Sequence, residues 1–165
     1  MLKLPKNIAS HPNVKAIEAL FGSNTRLLRP DGEMRVAQWL FDEPLKLALK
    51  KVYAGKHLVQ GLESISEHLD LELKGLKALK KLPGQTQNER LSRLVILSND
   101  GSERFYHNAE SIITRHAGRT LAVIVNASAE ELGDAFTKKS NPAKALLIDE
   151  RKALEAFLAA LAEAR

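Results

Sequence analysis

Three short apolar runs, residues 94–97, 121–125 and 145–148, are rich in branched side chains and end in polar or turn residues, and each is followed by a stretch with helical spacing. No other feature constrains the chain as much. Continuous apolar runs of this length suit strands buried on both faces, and helices packed against a sheet are what bury both faces. The stretches between them fit that role. Phe105, Ala109, Ile112 and His116 share one helical face in residues 102–116, residues 128–138 form a second amphipathic stretch, and Leu154, Phe157, Leu158 and Leu161 stripe residues 150–164. Strand and helix in turn imply an α/β layer structure with parallel pairing and right-handed crossovers.

Residues 1–90 lean helical, with interruptions. Residues 11–20 start at a Ser10 cap with Pro12 in the first turn and bring Val14, Ile17 and Leu20 together. "RPDGEM" is turn chemistry. Residues 34–53 read as a helix that Pro44 breaks or restarts, with Leu45, Leu49 and Val52 on one face of the second piece. "KHLVQG" between Gly55 and Gly61 suits a short strand, a fourth for the same sheet. After it Leu62, Ile65, Leu69, Leu73, Leu76 and Leu79 recur at helical spacing, while Lys74, Lys77 and Lys81, with Lys80 beside them, stripe the other side. "LPGQTQNE" is a polar link into the next strand.

With 165 residues and 44% hydrophobic content the chain can bury one real core, and a second full domain is not expected. It holds no cysteine, so neither a disulfide nor a thiolate metal site is available. The opening residues lack an apolar stretch of signal-peptide length and no run approaches a membrane span, so a soluble, cytoplasmic protein is expected. The net charge of +5 is uneven: residues 1–90 carry 15 basic against 10 acidic side chains, and residues 91–165 carry 10 of each. A basic half points to a polyanionic partner, because each neutralised phosphate releases counterions.

Candidate chemistry is sparse. His11, His57, His68, His107 and His116 show no paired metal-ligand spacing, and no metal or cofactor is expected. Ser98, Asp100 and His107 lie near a strand end, but nearness in sequence does not give a nucleophile a base within reach. Capping explains this stretch better: Asp100 or Ser102 accepts from a free amide, Glu103 complements the helix dipole, and Ser128 with Glu131 has capping-box spacing. Asp149 and Glu150 open the last helix in the same way. The glycines are too dispersed for a phosphate loop, and aromatic residues at 5% offer no interleaved stacking platform. Any RNA is therefore expected to bind through backbone and shape.

Four segments, "YAGKHLVQGLESISEHL", "RLVILSNDGSE", "SAEELGDAF" and "AKALLIDE", resemble in order segments of the ribosomal-protein family that binds kink-turn RNA. The resemblance spans residues 45–162, with an insertion around residues 70–88. The same fold serves as the substrate-binding domain of SpoU-type RNA ribose methyltransferases, whose opening "HPNVKAIEAL" resembles. The resemblance implies a three-layer α-β-α sandwich with a four-stranded mixed sheet over residues 45–165, preceded here by a helical N-terminal extension, residues 1–44. It also implies RNA as the partner. The family's RNA contact follows the glycine matching Gly61 with asparagine, glutamate and lysine, whereas the matching positions here are Glu63, Ser64 and Glu67. Phosphate contact then falls to Lys56, Lys74, Lys77, Lys80 and Lys81. The cofactor-binding knot of the methyltransferases has no counterpart in the sequence, so no methyl transfer is expected of this chain alone. The expectation is a non-catalytic RNA-binding protein, ribosome- or tRNA-associated, with a protein-protein interaction module on the same fold as the alternative.

Overall fold

The computed structural model describes residues 3–80, 90–136 and 141–164. In chain order its elements are α1 (Lys6–Ala9), α2 (Val14–Gly22), β1 (Thr25–Leu27), β2 (Arg35–Trp39), α3 (Glu43–Ala54), β3 (Leu58–Gln60), α4 (Leu62–Lys80), β4 (Arg93–Leu97), α5 (Glu103–Arg115), β5 (Thr120–Val125), α6 (Ala129–Asp134), β6 (Ala145–Ile148) and α7 (Arg151–Ala164). The strands form one mixed sheet in the order β1-β2-β5-β4-β6-β3. β2, β5 and β4 run parallel, while β1, β6 and β3 are antiparallel to their neighbours.

Alternating side chains divide the core in two, as the pleat of a strand requires. Leu94 and Ile96 of β4, Val123 and Val125 of β5, and Leu146 and Ile148 of β6 join a cluster with Ile17 of α2, Leu45 and Leu49 of α3, and Leu154 and Leu158 of α7. Their neighbours Val95, Leu97, Ala122, Ile124 and Leu147 face the other way, onto Ile65 and Leu69 of α4 and Ala109 and Ile113 of α5. Helices therefore cover both faces. The apolar runs that predicted central strands are deeply buried: Val95, Ile96, Val123, Ile124, Leu146 and Leu147 are each 1% exposed or less.

Three expectations need correction. The sheet has six strands among the described residues, where four were expected. The two extra strands come from the stretch read as a helical extension and from the first part of the helix expected over residues 34–53. There β2 pairs with β5 and places Val36 on one side of the sheet and Ala37 and Trp39 on the other. The signal was present in "FDEP": Asp42 accepts from the Leu45 amide as N-cap and Pro44 lies in the first turn, so the helix begins at Glu43 and nothing before it continues that helix. Third, β6 is antiparallel to β4. β6 starts beside the end of β4, with Ala145 opposite Leu97.

The apolar periodicity of α4 also outruns its partner. Nineteen helical residues span about 28 Å, while the three residues of β3 span about 10 Å. Ile65 and Leu69 are fully buried, but Leu79 is 45% exposed. No helix among the described residues is long and apolar enough to cross a membrane.

Candidate nucleic-acid interface

In open α/β sheets a ligand crevice forms where successive crossovers leave the strand ends toward opposite faces. Here β4 hands its chain to α5 on one face, and β5 hands its chain to α6 on the other. The crevice between them is closed by the protein's own hydrogen bonds. Ser98 Oγ donates to Asp100 Oδ1 at 2.8 Å, and the same oxygen accepts from the amide of Ala129, the first residue of α6, at 3.1 Å. Tyr106 Oη donates to the Ser98 carbonyl at 2.7 Å and accepts from the Gly101 amide at 3.1 Å. Asn99 Nδ2 donates to Asn126 Oδ1, and the Asn99 amide donates to the Ala127 carbonyl.

Both helix starts are capped as well. Ser102 Oγ accepts from the Phe105 amide, and Ser128 with Glu131 forms the expected capping box. Of the two candidates for the α5 cap, Ser102 takes the role, while Asp100 ties the two junctions together. Gly101 is required by space, since a Cβ there would lie 2.4 Å from the Phe105 ring. Ser98 is fully buried and its hydroxyl is committed to Asp100, so the set Ser98, Asp100 and His107 forms no nucleophile relay. His107 instead lines an open groove of about 280 Å³ with Arg29, Asp31, Glu103 and Arg104. Glu110 grips Arg29 there and holds its guanidinium pKa above the ordinary value.

The opposite end of the sheet carries a belt of ion pairs. His57 lies between Asp149 and Glu150, and His68 lies between Glu72 and Asp149. Glu72 also meets Arg93 and Arg119, and Asp70 meets Arg115 and the buried His116. Two acids of α4, Asp70 and Glu72, are therefore consumed internally. No group of three or more His, Asp or Glu that could hold a metal ion occurs among the described residues.

The lysines behave differently. Lys74 and Lys77 are exposed along α4 and form no ion pair among the described residues. Lys80 ends that helix, and Lys81 lies outside the described residues. Lys56 is exposed and sits in the turn from α3 to β3 with φ 63°, a left-handed conformation rare outside glycine. Its amide donates to the Tyr53 carbonyl while that of His57 donates to the Val52 carbonyl, the paired bonds of a Schellman helix end. Gly61 has φ 89°, its amide is held by the Ala145 carbonyl, and open space surrounds the position of its missing Cβ. Glu63 and Glu67 follow on the exposed side of α4.

Sequence reading passed over Lys50 and Lys51, both exposed on α3 close to Lys56. The signal was in "LKLALKKVY": Leu45, Leu49 and Val52 mark the inward stripe, which leaves Lys50 and Lys51 to face outward.

No protein-family model and no curated protein matches the chain. Among solved structures, a protein of unknown function from Bacillus halodurans is similar at 19% identity and a TM-score of 0.46, over 73% of this chain and 97% of that one. The 15.5 kD RNA-binding protein of Giardia lamblia is similar at 19% identity and a TM-score of 0.44, over 76% of this chain and 90% of that one.

Proposed function

We propose that the protein is a non-catalytic RNA-binding protein, ribosome- or tRNA-associated, that holds the phosphate backbone of a structured RNA. Its contacts are Lys56, Lys74 and Lys77, joined by Lys80 and Lys81, which follow them in the sequence, with Gly61 allowing close approach of the ligand's backbone. One observation carries the reading: these described lysines are exposed and unpaired among the described residues, while Asp70 and Glu72 on the same helix are spent on arginines and histidines. Phosphate is the ligand that such a stripe attracts irrespective of base sequence. The acids at Glu63 and Glu67 disfavour the backbone contact that follows the glycine in the kink-turn family, so the lysines and not the first turn of α4 supply the affinity. Full-length protein titrated with labelled structured RNA tests this. Lys74→Glu with Lys77→Glu should weaken binding to all sequences alike and reduce the salt dependence by about two phosphate contacts. Unchanged affinity would refute the site.

The second reading, a protein-interaction module, draws on Leu71, 71% exposed, and Leu79, 45% exposed, on the same helix. It predicts purified protein without the excess absorbance at 260 nm of copurified RNA, and a partner whose capture is lost on Leu71→Asp.

A further inference from the structure

We infer that the RNA crosses the outward face of α3, where Lys50, Lys51 and Lys56 hold phosphates and an unpaired base stacks on Tyr53. The inference rests on the RNA-binding reading and specifies its ligand as a single-stranded or looped-out segment. α3 turns Leu45, Ala48, Leu49 and Val52 inward, so Lys50 and Lys51 project from the opposite side, and Tyr53 lies one turn beyond Lys50. The helix carries one acid, Glu43, at its far end, and Lys46 neutralises it at 3.6 Å. The other charged side chains of this face are the cations Lys50 and Lys51, with Leu47, 55% exposed, between Lys46 and them.

Tyr53 separates this surface from the lysine stripe of α4. Its ring packs against Phe136 at 5.1 Å between centroids with a 50° tilt, which fixes its position, yet the residue is 45% exposed. An immobilised, exposed ring flanked by lysines is the arrangement by which proteins bind single strands, with phosphates on the cations and a base on the ring. α4 carries no Phe, Tyr or Trp, so its lysines can meet phosphate alone. Lys56 adds an independent sign. It occupies the left-handed helix-end position that glycine ordinarily takes, although Gly55 stands directly before it. The cation stands at a position where the backbone disfavours it, as happens at binding sites.

The experiment measures binding of the full chain to a short oligouridylate and to a short RNA duplex across a salt series. Lys50→Glu with Lys51→Glu should weaken oligouridylate binding about tenfold or more and lower its salt slope by about 1.4. Tyr53→Ala should cost about tenfold on oligouridylate and little on the duplex, with Tyr53→Phe close to wild type. Lys50 and Lys51 are exposed, so their reversal tests the surface even where Tyr53→Ala fails to fold. Full affinity in the Lys50/Lys51 variant, with loss only in the Lys74/Lys77 variant, overturns this inference and leaves the RNA-binding reading standing. Wild-type protein that binds neither probe overturns both.

Discussion

The strand-to-helix junctions at the ends of β4 and β5 differ sharply from the edge around β3. The first region is rich in groups that catch the eye in a sequence: Ser98, Asn99, Asp100, Asn126, Ser128. Nearly every polar atom there is answered by another part of the chain, and Asp100 alone joins the end of β4 to the first amide of α6. Around Lys56 and Gly61, by contrast, the chain shows a helix end closed by backbone amides, two residues with positive φ and exposed lysines, while the ion pairs of His57, His68, Asp70 and Glu72 lie beside them. Polar density in a sequence marks a place that folds with precision, whereas a site able to take a ligand is one whose polar groups the fold leaves unanswered.

The largest effect should come from tightening the closed region. A Cβ at Gly133 would lie 2.0 Å from the Asn141 carbonyl oxygen, so Gly133→Ala should lower unfolding free energy by about 3 kcal/mol in denaturant melts. A near-neutral result would mean that α6 does not sit against residues 141–143 as described.

Asp100→Ala comes next. It leaves the buried Ser98 hydroxyl and the Ala129 amide without their acceptor and should cost about 2 kcal/mol while RNA affinity stays at the wild-type value. A stable Asp100→Ala protein that lost a ligand would reverse the comparison and make the closed junction the working one.

Lys56→Gly sharpens the other side. Removing a side chain from a left-handed position should raise stability by about 0.5 kcal/mol. The same substitution should weaken RNA binding, so stability and affinity move in opposite directions. A variant that gained stability at no cost in affinity would leave the strain at Lys56 without a functional cause.

The smallest effect is confined to high pH. Burial pushes the Tyr106 hydroxyl above its ordinary value, opposed in part by the hydrogen bond from the Gly101 amide. Because the folded value is raised, this stabilisation is complete below the unfolded tyrosine value near 10 and is lost as pH rises through the folded value. Wild-type protein should therefore lose stability above pH ~10 more steeply than Tyr106→Phe, as chemical denaturation across that range would show.

Much of this architecture was legible in advance because it depends on local pattern. Unbroken apolar runs marked β4, β5 and β6, since a strand covered on both faces admits few polar side chains. The Ser128 capping box followed from spacing, and spacing narrowed the α5 cap to Asp100 or Ser102, because a cap is satisfied within four residues. Even β3 could be placed, from five residues between two glycines. The lysines of α4 were visible as a stripe, whereas Lys56, read as the start of the strand, stands in the turn before it.

What stayed hidden depended on partners distant in sequence. Residues 34–40 resemble the start of a helix until Ala37, Gln38 and Trp39 pair with β5, a partner more than eighty positions away, and no local propensity encodes that pairing. The antiparallel direction of β6 shows only in its register with β4, where Ala145 stands opposite Leu97 and Ile148 opposite Leu94. Whether Asp100 was a catalytic acid, a cap or a tie depended on the Ala129 amide, which only folding brings within 3.1 Å. The sequence by itself determined which segments become strands and helices and which faces are apolar, since those follow from periodicity and local capping. Tertiary structure decided which polar groups are satisfied internally and which remain for a ligand, because hydrogen bonds and ion pairs are settled by distances in space.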